Sequence, residues 1–154
     1  MDFDERIEEL FLDLPEAPPE AGAVVNAIQT GKYIYLSGVL PWKHGKMAYK
    51  GRVGLELTLD AGKLAAHAAT LQALGILRTF LDGSLNKVKQ IVSLKGFVAS
   101  GAEFKEQHKV LDGASQLLSD VFGATAGKHA RAAIGVTSLP FGAAIQLELI
   151  IEAR

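Results

Sequence analysis

Lys87-Val88-Lys89-Gln90-Ile91-Val92-Ser93-Leu94-Lys95-Gly96-Phe97-Val98-Ala99 is the stretch on which the fold turns. Its residues alternate like a strand, with Val88, Gln90, Val92, Leu94, Gly96 and Val98 on one side and Lys89, Ile91, Ser93, Lys95 and Phe97 on the other. Gly96 inside it predicts a bulge or a close approach of another element. The flanking patterns are helical. Upstream, Thr58 is placed to cap an alanine-rich run that reaches Leu81 with apolar positions Leu64, Ala68, Leu71, Leu74 and Leu77, and Asp82-Gly83-Ser84 ends it. Gly75 is a weak point in that helix. Downstream, Ser100-Gly101-Ala102-Glu103 opens a second helix, with Phe104, Val110, Leu111, Ala114, Leu117, Leu118, Val121 and Phe122 leading to a stop at Gly123.

Working outward, residues 24–28 and 33–37 are strand-like runs joined by Thr30-Gly31-Lys32, which suits a hairpin. Residues 42–54 read as a glycine-punctuated loop with a short edge strand near Lys46-Met47-Ala48. Two closing strands, 130–138 and 143–153, meet through Leu139-Pro140-Phe141-Gly142. In the last, Ala143, Ile145, Leu147, Leu149 and Ile151 share one side and Ala144, Gln146, Glu148, Ile150 and Glu152 the other; in the strand before it, His129, Arg131, Ala133, Gly135 and Thr137 share a side. The first 14 residues form an amphipathic helix appended to the main body and ended before Pro15. The order β-β-(β)-α-β-α-β-β predicts an α+β domain whose mixed sheet carries both long helices on one face. The domain proper spans 22–154, with 1–14 as a helical extension.

The 154 residues allow one hydrophobic core. An apolar fraction of 49% against 21% charged residues is rich for a small monomer and favours a homo-oligomer. With a net charge of −1 and scattered Lys and Arg, the chain shows no electrostatic footprint for nucleic acid or an anionic membrane. The absence of cysteine excludes disulfides, thiolate catalysis and Cys-ligated metal centres. An acidic N-terminus and no apolar run near the ~20 residues of a membrane span point to the cytoplasm.

Three blocks carry a resemblance: Gly31 through Gly38, the run Gly123-Ala124-Thr125-Ala126-Gly127-Lys128-His129-Ala130-Arg131, and Gly135-Val136-Thr137-Ser138-Leu139-Pro140. In this order and spacing they resemble the Rid family, also called YjgF-like or endoribonuclease L-PSP-like, over about Gly22 to Glu152. Gly96-Phe97-Val98-Ala99 and Gly113-Ala114-Ser115 are similar to a branch diverged from the imine-deaminating type. The resemblance implies a chorismate-mutase-like fold, a homotrimer with its sheets around the threefold axis, and ligand clefts between subunits. It requires no cofactor and no metal.

The resemblance makes Arg131 the arginine that grips a substrate carboxylate, a task suited to a planar guanidinium. The plain alternative is an interface ion pair with Glu148 or Glu152. Fifteen positions on, Gln146 stands where deaminating members place the glutamate that activates water for attack on a 2-imino acid. An amide is no general base, so imine hydrolysis is in doubt. Val24 or Val25 replaces a cleft tyrosine, and His108 replaces an asparagine. An imidazole titrates near 6.5, so His108 is a candidate substitute base, the alternative being an ordinary surface histidine. Ser37, Gly38 and the Ala133 backbone match small groups lining the cleft, with tight packing as their alternative. His129 lies on the Arg131 side of its strand and completes an anion site or does nothing; no partner at recognised spacing makes it a metal ligand.

These residues lead to a trimer that binds a small carboxylate of the 2-imino or 2-keto acid type, with weak or altered enamine or imine hydrolysis. A non-enzymatic metabolite-sensing or protein-binding trimer is the alternative. An endoribonuclease is disfavoured for want of a basic stripe with stacking aromatics.

Overall fold

The computed structural model describes all residues, Met1–Arg154. Helix α1 (Phe3–Glu9) starts at Asp2, whose carboxylate accepts the Glu5 N–H. Strands β1 (Ala27–Thr30) and β2 (Tyr33–Leu36) form the expected hairpin, with Gly31 supplying φ +60° at the first turn position, a conformation that strains any side chain. Strands β3 (Trp42–Lys43) and β4 (Lys46–Met47) make a separate two-stranded hairpin, so the segment read as an edge strand does not join the main sheet. Then follow α2 (Leu59–Phe80), β5 (Val88–Ala99), α3 (Gln107–Val110), α4 (Asp112–Ala126), β6 (Ala130–Val136) and β7 (Ile145–Ala153).

The main sheet has the order β1-β2-β7-β5-β6. Only β5 and β6 run parallel, because α3 and α4 form the crossover between them. The two long helices cover one face, as the element order predicts, and bury Leu94, Val98, Leu147, Leu149 and Ile151 beneath them. Thr58 caps α2 by accepting the Ala61 N–H at 3.1 Å. No helix is long and apolar enough to cross a membrane.

Three local readings change. Two register shifts in β5, between Val88 and Gln90 and between Ile91 and Ser93, reset its alternation, so Ile91 points into the core and is fully buried. The second long helix, α4, begins at Asp112 after the four-residue α3 rather than at Ser100–Glu103, and Gly123 leaves helical geometry with φ +83° while the helix continues to Ala126. Gly75 is no weak point: a Cβ there would lie 2.1 Å from the Pro15 carbonyl oxygen, because the segment after α1 lies directly on α2.

Helix α1 belongs to the core rather than being merely appended to it. Phe3 and Ile7 are buried in the main cluster, and the Phe3 ring meets Phe122 edge-on with centroids 4.9 Å apart. Asp4 accepts from the Ser84 hydroxyl at 2.6 Å and the Leu85 N–H at 2.8 Å, and Asn86 accepts the Phe3 N–H at 2.7 Å. These bonds satisfy both the first turn of α1 and the turn before β5.

Candidate functional site

Arg131 opens the edge strand β6, paired with Leu94 of β5, whose side chain is in the core. Parallel partners project to the same face, so Arg131 leaves the sheet on the helix side. There its Nη1 donates to Asp112 Oδ1 at 2.9 Å and to Ser115 Oγ at 3.2 Å, and its Nη2 donates to the His108 carbonyl oxygen at 3.1 Å. Within one chain the ion-pair partner is therefore Asp112 of α4, and Glu152 lies 3.7 Å from Lys89.

Two residues further back along the chain, His129 turns to the same side. Its Nε2 is 2.8 Å from Ser115 Oγ and its Nδ1 is 2.7 Å from the Gly127 carbonyl oxygen. Asp112, Ser115, His129 and Arg131 thus form one polar cluster where α4 meets the edge of the sheet. His108 contributes its carbonyl to this cluster, and the residue is exposed. Ala133 follows on the same side and packs against the core.

The other candidates gather elsewhere. Gln146 lies on β7 next to the buried Leu147 and so projects from the opposite, open face of the sheet. Gly38 lies against it: a Cβ on Gly38 would come within 2.5 Å of Gln146 Nε2. The Ser37 hydroxyl donates to the Val25 carbonyl, while Val24 is largely exposed. Across the sheet Gln146 is opposite Phe97, and Phe97 opposite Ile134, so the intervening strand β5 as well as the sheet itself separates the Gln146 group from Arg131. One chain alone does not bring the two groups into a single pocket.

A groove of about 1140 Å³ lies between the 11–19 segment, the β3–β4 hairpin and α2, and none of the sequence-derived site residues lines it. His67 does. Burial pushes its pKa below the ordinary 6.5, the nearby Lys43 ammonium adds to this and Asp120 opposes it. The folded state thus binds the proton less readily than the unfolded chain, and stability falls as pH drops through the ordinary histidine range toward the lower folded value. Thermal midpoints recorded between about pH 8 and pH 5 should fall more steeply for wild type than for His67→Gln. Parallel curves would contradict this.

The model of the family described as "YjgF/chorismate_mutase-like, putative endoribonuclease" matches residues 4–152. This chain belongs to the YjgF-like Rid family. Protein TCP17 of Trypanosoma cruzi is 38% identical over 146 residues, covering 95% of this chain and 91% of the relative. The Agrobacterium tumefaciens protein Atu1372, described as of unknown function, is 38% identical with a TM-score of 0.92, covering 99% of this chain and 92% of that one. A Shewanella oneidensis structure described as a "putative endoribonuclease" is 32% identical, also with a TM-score of 0.92, covering 99% of each chain. The Rid match takes in α1 from Asp4 onward.

Asp112 and Ser115 join this cluster without having been read as site residues from the sequence, although Ser115 lies in the Gly113-Ala114-Ser115 motif. Their spacing of three places both on one face of α4. That periodicity was visible; that β6 would bring Arg131 and His129 against this face was not.

Proposed function

We propose that this Rid-family protein binds a small carboxylate-bearing metabolite of the 2-imino or 2-keto acid type, in clefts completed by another copy of the chain within a homotrimer. The observation that carries the reading is the state of Arg131. A guanidinium has five N–H donors; three hold Arg131 against Asp112, Ser115 and the His108 carbonyl. Two remain uncommitted on a group already fixed in place, the arrangement that lets a carboxylate bind without first ordering a flexible side chain. The separation of Arg131 from Gln146 within one chain supports a cleft to which a second copy contributes.

Binding is the stronger half of the proposal. Gln146 carries an amide where the deaminating members carry a carboxylate, and an amide accepts no proton from water in the working pH range. Turnover of imines by wild type is then weak. This same substitution favours the second reading, a trimer that senses a metabolite without converting it.

Calorimetric titration of 2-oxobutanoate into wild type and Arg131→Ala tests the anchor. A good charge-assisted pair contributes ~1.5–3 kcal/mol, so the variant should bind at least about tenfold more weakly. Equal affinity, or no binding by either, would sink the reading. An imine-hydrolysis assay coupled to an amino-acid oxidase should give low rates for wild type and faster ones for Gln146→Glu, by an amount on the order of the 10²-fold typical of a positioned general base. Robust wild-type turnover would contradict the role given to the glutamine.

A further inference from the structure

The Ser115–His129 contact has the bonding pattern of an activated nucleophile. The Gly127 carbonyl can only accept, so the 2.7 Å contact at Nδ1 places the ring proton there in the neutral imidazole. Nε2 is then the acceptor, and the 2.8 Å partner that donates to it is the Ser115 hydroxyl. Arg131 Nη1 donates to the same oxygen at 3.2 Å. The three contacts are mutually consistent: Ser115 Oγ gives its one proton to the histidine and receives a hydrogen bond from a permanent cation. A hydroxyl held by a base, with that base oriented by a third group, is the recurring arrangement of nucleophilic serines. The link between helix and strand alone would not require the imidazole to be clamped at both nitrogens, nor the guanidinium to point at the hydroxyl.

We propose that Ser115 and His129 form a catalytic dyad that cleaves activated acyl compounds, esters or thioesters, by way of an acyl-serine. Ser115 Oγ bonds to the acyl carbon as its proton passes to His129 Nε2. The bond to the leaving group breaks, and the leaving group departs with that proton. Water then attacks the acyl-serine, giving a proton to Nε2; the bond from carbon to Oγ breaks, Ser115 recovers the proton and the free acid leaves. The Arg131 guanidinium, beside Oγ, faces the negative charge that develops in each addition. The substrate class follows from the same arginine: an acyl compound that also bears a carboxylate. That clause rests on the anchor reading given above, whereas the dyad itself does not.

A fluorophosphonate probe reacts covalently with activated serines and carries no carboxylate, so it tests the dyad alone. Incubated with the full chain, it should label wild type once, at Ser115 by peptide mass spectrometry. Ser115→Ala should not be labelled. His129→Asn, with its fold verified by circular dichroism, should react slower by about 10² or more, the usual contribution of a positioned base. No labelling of wild type, labelling at another residue, or an undiminished rate in His129→Asn overturns the dyad. For the substrate class, mono-p-nitrophenyl adipate should be cleaved at least about tenfold faster than p-nitrophenyl hexanoate, an ester of equal length without the carboxylate. Equal rates with Ser115 labelled would remove the carboxylate preference and count against the anchor reading while leaving the dyad standing.

Discussion

Gly113→Val will unfold more readily than any conservative substitution elsewhere on the helices, losing about 3 kcal/mol or more in urea denaturation. Gly113 stands at the start of α4, where that helix crosses α2. A Cβ at this position would lie 2.2 Å from the Lys63 carbonyl oxygen and 2.9 Å from its carbonyl carbon. Both atoms are backbone inside α2, so no rotamer change relieves the clash; one helix must lift off the other. For Gly113→Ala two effects compete. Helix propensity alone favours alanine by ~1 kcal/mol, whereas overpacking costs ~1–3 kcal/mol and more where the obstacle is rigid. The clash wins, and alanine is still destabilising. Gly96 is the control: a Cβ there would meet Leu111 Cδ2 at 2.3 Å, equally close but at the end of a movable side chain. Gly96→Ala should therefore cost less than Gly113→Ala. The reverse order would show that the helix crossing is looser than its geometry implies.

The same distinction between what is local and what is tertiary explains how far the sequence could be read. The Thr58 cap, the α2 period and the strict alternation of β7 are local, and each appears in the structure where the pattern puts it. The alternation of β5 failed at Ile91 because bulges are set by the partner strand, here β7, and leave no mark in the residues themselves. Arg131 shows the sharper limit. In β7 one side is Ile145, Leu147, Leu149 and Ile151, so the core side is legible. In β6 one side is Ala130, Ala132, Ile134 and Val136 and the other Arg131, Ala133 and Gly135, neither matching the run of large aliphatics that marks the core side of β7, and parity groups His129 with Arg131 without telling which face of the sheet they leave. Only the pairing of Arg131 with buried Leu94 decides it, and this pairing brings the arginine to Asp112 and Ser115 on α4. Gly75 was misread for the same reason: its need to be small comes from Pro15, sixty residues earlier.

Phe122→Ala should cost about 3–5 kcal/mol, a large share of the 5–15 kcal/mol available to a domain of this size. Phe122 is 2% exposed and among the largest fully enclosed side chains, so its loss leaves a cavity that α4, pinned against α2 and the sheet, cannot close. Part of the cost belongs to α1. The edge-on contact with Phe3, at 71° between planes, contributes ~0.5–1.5 kcal/mol beyond area burial. Phe3→Ala should cost less than Phe122→Ala, because a helix of seven residues can shift into the space while Asp4 still holds Ser84 and Leu85. The double variant should then lose less than the sum of the two singles by roughly the coupling of the ring pair, ~1 kcal/mol. Strict additivity would mean that α1 is docked by its polar caps alone and that the Phe3 ring adds nothing through Phe122. A coupling of the expected size would instead make the N-terminal helix part of the same cooperative unit as the strand and helix that carry Arg131 and Ser115.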